Sequence, residues 1–460
     1  MKTEMKSQQC RHALVIMGLM LALALCLGLT ACVSTSPSTC ARAKVFDVRK
    51  YGAIGDGKTL DTVAIQAALD KCGVAGGGVV RFSAGTYLSQ PITLRNKTTL
   101  LLEKGATLLA TPTQADFLKN GTDWLAATSG SDFIPFVGGR NLTNITFTGQ
   151  GTIDGNGGVW WEEAEKARQI KPGYTLPRPN LVVLTGCTNV CMQNITLQNS
   201  PKFHFVPTDC DGLIISNVTV LAPPHAANTD AIDPSICRNV LITKCHIDVG
   251  DDNIAIKSGK KVAGREFACE NITVTDCVFL HGHGVSIGSE TVGGVRNLTV
   301  RNCTFEGTEN GLRIKSQRGK GGVIENISYS DITMKNVNPA ITLTSYYMYS
   351  SAGDPTQPSA IKDENAEPVT DKTPIYRNIR ISNVTATCQK SVGFILGLPE
   401  SPISDVVLEN VSITAATTGL SIKNAKGIQF KNVKIINKEG PPVVVENAQV
   451  EGLEKVDEVK

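Results

Sequence analysis

Four short segments in the middle third of the 460-residue chain carry residue types suited to acid–base chemistry on a charged substrate. They are Asn228-Thr229-Asp230, Gly250-Asp251-Asp252, Gly282-His283-Gly284 and Arg313-Ile314-Lys315. Together they supply three carboxylates, one imidazole and two positive charges. The segments follow one another at intervals of about one coil of a β-solenoid, so stacked coils would gather them into one site. The predicted chemistry is hydrolysis of a polyanion.

Side-chain direction within two of these segments can be predicted from strand geometry. Residues two apart in a strand point to the same side, so Arg313 and Lys315 aim two cations at one place while Ile314 faces the core. By the same rule, Asp251 and Asp252 point to opposite sides of a regular strand. Both reach one cleft only at a strand end or a bulge, a distortion that Gly250 would permit. Taken alone, Gly250-Asp251-Asp252 is equally typical of an ordinary β-turn.

A strand-turn pattern recurs along most of the chain. Each copy has a polar residue, often Asn, followed by two-residue alternation rich in Val, Ile and Thr, which is typical of strands. Copies begin at Asn144, Asn189, Asp211, Asn239, Asn271, Asn297 and Asn326, with weaker ones near Asn378, Asp405 and Gly427. The period predicts an all-β, single-domain parallel β-helix. We interpret the repeated Asn-X-Thr/Ser triplets as stacked polar ladders rather than glycosylation sites.

The N-terminal part of the domain departs from the repeat. Asp61 to Cys72 has the apolar spacing of one amphipathic helix with Asp61 as its N-cap. We expect this helix to cap the open end of the solenoid, between strands at residues 45–48 and 78–82. Residues near 345–375 break the repeat and predict a long loop beside the site. Trp160 and Trp161 could stack on sugar rings, although at least one is expected to be buried.

The first 31 residues are predicted to be a lipoprotein signal peptide. Three basic residues precede an apolar run of 17 residues from Ala13 to Leu29. The run closes on Leu29-Thr30-Ala31-Cys32, which resembles a bacterial lipobox with Cys32 as the lipidated residue. The alternative is an uncleaved transmembrane anchor, for which the run is near the lower length limit.

In either case we expect an exported and tethered protein, with residues 32–43 as the tether and 44–455 as the catalytic domain. The lipoprotein would lie in the outer membrane or periplasm or on the cell surface, and would contact the membrane only through its lipid.

Charge and cysteine content restrict the partners. Removing residues 1–31 lowers the formal net charge from +3 to +1, so attraction of a polyanion must come from local cations. We expect a monomer that binds no nucleic acid, metal ion or cofactor. Lys257, Lys260 and Lys261 would either extend a binding groove or belong to a solvated loop. Eleven cysteines follow Cys32; several occupy apolar strand positions, so we expect at most one or two disulfides.

The order and the residue sequences of the four segments resemble those of the polygalacturonase family, glycoside hydrolase family 28. Tyr51–Gly57, Gly288-Ser289-Glu290 and Asn310-Gly311-Leu312 also resemble the family, and the resemblance covers nearly the whole mature chain. Its members are right-handed parallel β-helices that hydrolyse α-1,4 bonds between galacturonates with inversion. The resemblance therefore implies that the partner is pectin or homogalacturonan. Ala231 departs from the Gly that many relatives carry.

The resemblance also implies residue roles. Asp251 would be the general acid, Asp230 and Asp252 would position and deprotonate water, and His283 would hold the charge state of the acid. The substrate-binding residues would be Asn228, Arg313, Lys315 and Tyr346, with Tyr347 as an alternative to Tyr346. An inverting glycosidase needs an acid and a base far enough apart to admit water, and crowded carboxylates imply that one has a raised pKa.

Three other functions compete with this interpretation. Rhamnogalacturonan and xylogalacturonan hydrolases share the fold and the three aspartates, but the intact Gly-His-Gly and Arg-Ile-Lys segments favour unbranched galacturonan. A calcium-dependent pectate lyase would need a basic catalytic residue, for which there is no obvious arginine. A noncatalytic, glycan-binding surface solenoid has no need for all four segments at coil spacing.

Overall fold

The computed structural model describes residues 43–119, 124, 127, 129–170, 176–259, 264–347 and 365–456. The predicted signal peptide, Cys32 and almost all of the tether lie outside the described residues. So do Lys260, Lys261 and most of the loop predicted near residues 345–375. From Lys44 onward the chain forms one compact unit.

The described part of the chain forms thirty-one strands, numbered in chain order, which wind into a right-handed parallel β-helix with three faces. The first face contains β1 (Val45–Asp47), β3 (Gly78–Phe82), β6 (Thr98–Leu102), β9 (Thr143–Gly149), β12 (Thr188–Gln193), β15 (Asp211–Ser216), β17 (Arg238–Thr243) and β20 (Cys269–Thr275). The second contains β2 (Asp56–Leu60), β4 (Gly85–Ser89), β7 (Ala106–Ala110), β10 (Thr152–Asp154), β13 (Thr196–Gln198), β16 (Thr219–Leu221), β18 (His246–Asp248) and β21 (Val278–Leu280).

Later strands are longer and bend from the first face into the second. They are β23 (Val295–Glu306), β25 (Val323–Val337), β27 (Ile375–Cys388) and β29 (Ile403–Ala415). The third face contains β5 (Ile92–Thr93), β8 (Val137–Arg140), β11 (Val182–Thr185), β14 (Phe205–Thr208), β19 (Ile254–Ile256), β22 (Val285–Gly288), β24 (Leu312–Lys315), β26 (Ile341–Thr344) and β28 (Gly393–Leu396). The last coils are β30 (Thr418–Ile436) and β31 (Glu439–Glu451).

Because the strands pair in parallel and in register, side chains of the same kind stack in columns along the solenoid. One column of the first face runs through six aliphatic residues from successive coils, each no more than 3% exposed: Val190, Leu213, Val240, Ile272, Leu298 and Ile327. Burying one such side chain stabilises the fold by about 1.5–3 kcal/mol. Because no single coil encloses a core, this stabilisation exists only when neighbouring coils stack.

The repeated asparagines form the polar ladder that the sequence predicts. Asn271 donates from Nδ2 to Asn239 Oδ1 over 3.2 Å and accepts from Asn297 Nδ2 over 3.0 Å. Each of the three has a φ between +56° and +59°, the left-handed region that Asn tolerates better than most residues. The ladder therefore sets the same turn in these three successive coils.

Two α-helices flank the solenoid within the described residues. Helix α1 (Thr62–Val74) buries Ala64, Ile65, Ala68, Leu69 and Cys72 and packs on the first coils, as predicted. Asp61 occupies the N-cap position but makes no side-chain cap bond; its carboxylate accepts instead from the backbone N–H groups of Ile54 and Gly55. Helix α2 (Gly158–Ile170) was not predicted. Among the described residues, no helix is long and apolar enough to cross a bilayer.

All ten cysteines within the described residues are free. Nine of them are buried, and Cys191 is half-buried. Their strand positions are in register, so Cys210, Cys237 and Cys269 occupy equivalent places in successive coils. They act as small apolar core residues rather than as covalent links.

Candidate active site

The two segments that carry the aspartates and the segment that carries His283 meet at one edge of the third face. Ile232 bridges Ile254, which pairs with Val285, so these residues hold equivalent positions in successive coils. Asp230, Asp252 and His283 each lie two residues before one of them. Arg313 and Lys315 project from β24 on the next coil, where Ile314 faces the core. The structure thus brings together the groups that the spacing predicted.

Glycines allow these coils to approach closely. A Cβ on Gly282 would lie 2.4 Å from the carbonyl oxygen of Asp251, and φ is +79°. A Cβ on Gly250 would lie 2.5 Å from the carbonyl oxygen of Ala226. Gly250 is therefore required for space between coils, and its φ is not in the left-handed region. The two aspartates that follow it lie in the turn before β19, at a strand end as expected.

Asp252 is a buried carboxylate surrounded by donors. It is 2% exposed; Lys315 Nζ lies 2.7 Å from Oδ2, and Arg313 Nη1 lies 3.2 Å from Oδ1. Ser286 donates its hydroxyl to Oδ1 over 2.6 Å. Burial alone would raise the pKa of Asp252, but the charges of Lys315 and Arg313 outweigh it and hold the pKa below its usual range.

Asp251 forms an ion pair with His283. Asp251 Oδ1 lies 3.1 Å from His283 Nδ1, and Glu309 Oε2 lies 2.9 Å from Nε2. Burial would lower the pKa of His283, but hydrogen bonds to Asp251 and Glu309 raise it to about 10. Burial would likewise raise the pKa of Asp251, but the bond to His283 holds it below its usual range. Without substrate, the shared proton therefore rests on the imidazole.

Asp230 is a buried carboxyl whose pKa is raised. It is 3% exposed and shares Lys257 with Asp233. Lys257 Nζ lies 2.6 Å from Oδ2 of Asp233 and 3.4 Å from Oδ2 of Asp230. One ammonium offsets only part of the cost of burying two carboxylates side by side. Burial, and then the charge of Asp233, raise the pKa of Asp230 well above its usual range; burial raises that of Asp233 to about 6. The raised pKa expected in the site thus falls on Asp230 rather than Asp251.

A cleft of about 860 Å³ opens beside Asp251 and His283. Its lining includes Trp161, Glu162 and Glu165 from α2, with Arg178, His225, Asn228 and Glu309. Trp160 is completely buried and packs edge-on against Trp124, while Trp161 faces the cleft. Helix α2 therefore forms one wall of the space into which Asp251 projects.

The two tyrosines after β26 have different surroundings. The ring of Tyr347 lies 5.5 Å from Arg313 Cζ and 5.1 Å from Lys315 Nζ. Tyr346 is 5% exposed and packs in a buried cluster with Phe394, Leu396 and Leu398. Tyr347, the alternative to Tyr346 in the sequence analysis, is the tyrosine beside the cations.

The cluster also has the composition of a metal site. Donor atoms of Asp251, Asp252 and His283 lie within 4.8 Å of one another. However, both ring nitrogens of His283 already face carboxylates, and Lys315 and Arg313 already neutralise Asp252. A divalent ion would have to displace these cations, so the donor set fits a metal poorly.

Several functional candidates were missed by sequence reasoning. Arg178 lies about 50 residues before its partner Asn228, and Ser286 and Glu309 fall outside the four segments. Strand periodicity could have found Ser286, because β22 places it beside Arg313 in register. The sequence also contains an indication of helix α2, because the stretch from Val159 to Ile170 is free of Gly and Pro. Lys257, assigned to a groove or a solvated loop, is instead paired with Asp233.

A buried acid–base cluster with two cations on the face of a parallel β-helix defines a glycoside hydrolase. The chain belongs to the glycosyl hydrolases family 28, whose family profile matches residues 94–439. It is 35% identical over 375 residues to an endo-polygalacturonase of Pectobacterium carotovorum subsp. carotovorum, covering 79% of this chain and 86% of that protein.

Two solved structures are also similar. The polygalacturonase from Erwinia carotovora ssp. carotovora superposes with a TM-score of 0.66 at 31% identity, over 90% of this chain and 99% of that one. A hyperthermoactive exopolygalacturonase from Thermotoga maritima gives a TM-score of 0.69 at 25% identity, over 85% and 92% of the two chains.

Proposed function

We propose that this protein is a polygalacturonase that hydrolyses α-1,4-galacturonosyl bonds in pectin with inversion. The observation that carries the proposal is the arrangement around Asp252, where Lys315 and Arg313 meet one carboxylate in a buried site. A galacturonate carboxylate can replace Asp252 as the partner of these cations. The endo-polygalacturonase and polygalacturonase relatives support the same substrate class.

In this mechanism Asp251 is the general acid and His283 is its proton reservoir. Substrate binding excludes water and adds negative charge beside Asp251, which raises the proton affinity of its carboxylate. The proton then moves from His283 Nδ1 to Asp251 and on to the leaving glycosidic oxygen. His283 remains neutral, with its Nε2–H donated to Glu309.

Asp252 is the base that deprotonates the attacking water. Donor atoms of Asp251 and Asp252 lie within 4.8 Å of one another in the free enzyme, closer than the roughly 6.5–9.5 Å between the carboxyls of inverting enzymes; inversion is therefore proposed on the family resemblance and not on this separation. In the free enzyme Asp252 is a weak base, because Lys315 and Arg313 stabilise its charge. When a substrate carboxylate draws these cations away, the pKa of Asp252 rises and the carboxylate becomes able to accept a proton. Asp230, whose pKa is raised by burial and by Asp233, positions the water. Tyr347 covers the cations and contacts the same sugar.

The deciding experiment is release of reducing ends from polygalacturonate in excess chelator, with the ultraviolet absorbance of unsaturated products followed in the same sample. Reducing ends without new absorbance would support metal-independent hydrolysis. New absorbance would indicate β-elimination and overturn the proposal, as would a complete lack of products. In the last case branched rhamnogalacturonan is the next substrate to assay.

A further inference from the structure

Arg178 is a buried arginine on the wall of the cleft, close to the proposed acid. It is 2% exposed and comes from the segment that precedes β11. Its Nη1 donates to the carbonyl oxygen of Ala227 over 3.1 Å, and its Nη2 donates to Asn228 Oδ1 over 2.9 Å. Both bonds end on the segment that carries Asp230, so Arg178 ties that segment to the coil two before it.

The bond to Asn228 determines how its amide is oriented. A guanidinium can only donate hydrogen bonds, so the amide oxygen must face Arg178. The amide Nδ2 then faces Asp251, whose Oδ2 atom lies 3.3 Å away. Rotating the amide by half a turn would place its oxygen against an ionised carboxylate, with two acceptors in contact. Arg178 therefore fixes a donor on Asp251.

The remaining oxygen of Asp251 is also held. Oδ1 faces His283 Nδ1 and accepts from the backbone N–H of Asp252 over 2.8 Å. With Asn228 on Oδ2, the carboxylate has donors on both oxygens and is fixed in position. Of the residues that provide these donors, only Asn228 presents an amide that can rotate, and Arg178 is what prevents the rotation.

Burying a cation is costly, and Arg178 bonds a carbonyl and an amide rather than a carboxylate. Burial lowers the pKa of Arg178 to about 10, while the nearby charges of Asp251 and Asp230 act in the opposite direction. The guanidinium is therefore charged at neutral pH and stabilises the ionised form of Asp251. Loss of this charge would raise the proton affinity of the acid.

We propose that Arg178 is a positioning residue for the hydrolytic reaction, acting through Asn228 to orient the Asp251 carboxyl and to set its proton affinity. This inference rests on the proposed function, because it assumes that Asp251 is the acid. Arg178 itself does not touch the reacting atoms.

The test compares Arg178→Met and Arg178→Lys with the parent protein in the pH profile of polygalacturonate hydrolysis. For Arg178→Met we expect kcat to fall about 10²-fold because the carboxyl is misplaced, with KM changed less than threefold. The alkaline limb of kcat/KM should move up by about one pH unit. Arg178→Lys keeps the charge and should leave that limb in place while restoring part of kcat.

Arg238→Met is the matched control, because Arg238 pairs with Asp211 on the first face, away from the cleft. Its profile should match the parent. If Arg178→Met fails to fold, Arg178→Lys still tests the inference. We expect that variant to have a reduced kcat and an alkaline limb of kcat/KM at the same pH as in the parent.

A rise in KM of more than tenfold with an unmoved limb in Arg178→Met would show that Arg178 binds substrate directly and would overturn the inference. If Arg178→Met kept the kcat and the alkaline limb of the parent, the inference would also be overturned. Parent protein that releases no reducing ends would instead refute the proposed function.

Discussion

Lys315 donates from Nζ to Asp252 Oδ2 over 2.7 Å, and both side chains are almost completely buried. They come from coils 63 residues apart in sequence. A buried ion pair of this kind is weak evidence for stability, because desolvation offsets most of the attraction. In the proposed mechanism this pair opens toward a substrate carboxylate.

Replacing Lys315 with Met should therefore affect both stability and pH dependence. Asp252 would keep Arg313 and Ser286 but lose its strongest positive neighbour, so its pKa should rise. We expect the acid limb of kcat/KM to move to higher pH, KM to rise and the free energy of unfolding to fall by about 3 kcal/mol. Denaturant unfolding and a pH profile measure these changes. The control is Lys166→Met, on the exposed face of α2, which should change neither the stability nor the pH profile. An unmoved acid limb in Lys315→Met would contradict the role proposed for Asp252.

Asp251→Asn should remove the proposed general acid and leave the fold intact. We expect kcat to fall by about 10²–10⁴-fold, with an unfolding midpoint close to that of the parent. The chain offers a chemically matched control in Asp248→Asn, because Asp248 Oδ1 pairs with Nδ1 of the exposed His281 over 2.8 Å. That variant should retain full activity. Near-normal hydrolysis by Asp251→Asn would require another residue to be the acid.

The raised pKa of His283 predicts how stability depends on pH. In the folded state it is about 10, above the ordinary value of 6.5, so the folded protein binds the proton more tightly. The stability that His283 contributes is therefore fully present below about pH 6.5 and is lost as pH rises toward 10. The difference in free energy of unfolding between the parent and His283→Gln should shrink over that window. A constant difference for His283→Gln would disprove the pairing of His283 with Asp251 and Glu309.

Much of the site was predictable because strand periodicity determines direction. Arg313 and Lys315 point to the same side, as alternation requires, and coil spacing correctly brought Asp230, Asp252 and His283 together. What periodicity could not give was the conformation at coil corners. Whether Asp251 and Asp252 face one site, and whether Tyr346 or Tyr347 faces the cations, depend on turns between strands.

Charge states were less predictable than positions. The sequence places three carboxylates together but does not say which of them meets a cation. Lys257 lies closer to Asp233 than to Asp230, and His283 meets Asp251, so the raised pKa that crowding predicts falls on Asp230. Such outcomes depend on differences of less than an ångström in contacts between coils.

The asparagine ladder can be tested at its centre. Asn271→Ala removes two ladder hydrogen bonds, each worth about 1 kcal/mol, and places a Cβ residue at positive φ, which costs about 1–2 kcal/mol more. Asn271→Gly removes the bonds without the backbone strain. We expect both variants to unfold at lower denaturant, Ala more than Gly. Equal midpoints for Ala and Gly would mean that the left-handed turn carries no strain.

Lipid attachment at Cys32 stays a prediction, because the residue lies outside the described part of the chain. In a bacterial host, the parent should incorporate labelled palmitate and fractionate with membranes. Cys32→Ala should lose the label. Cys26→Ala should keep it, because bulky Leu25 precedes that cysteine. Equal labelling of the parent and Cys32→Ala would refute the lipobox interpretation.

The free cysteines of the solenoid have a practical consequence. Within the described residues no covalent cross-link joins one coil to another, so the folded domain should tolerate reducing and oxidising compartments alike. The nascent chain differs, since thiols destined for neighbouring coils are exposed together before the coils close. A recombinant preparation should therefore be folded under reducing conditions, even if the finished enzyme works where disulfides form.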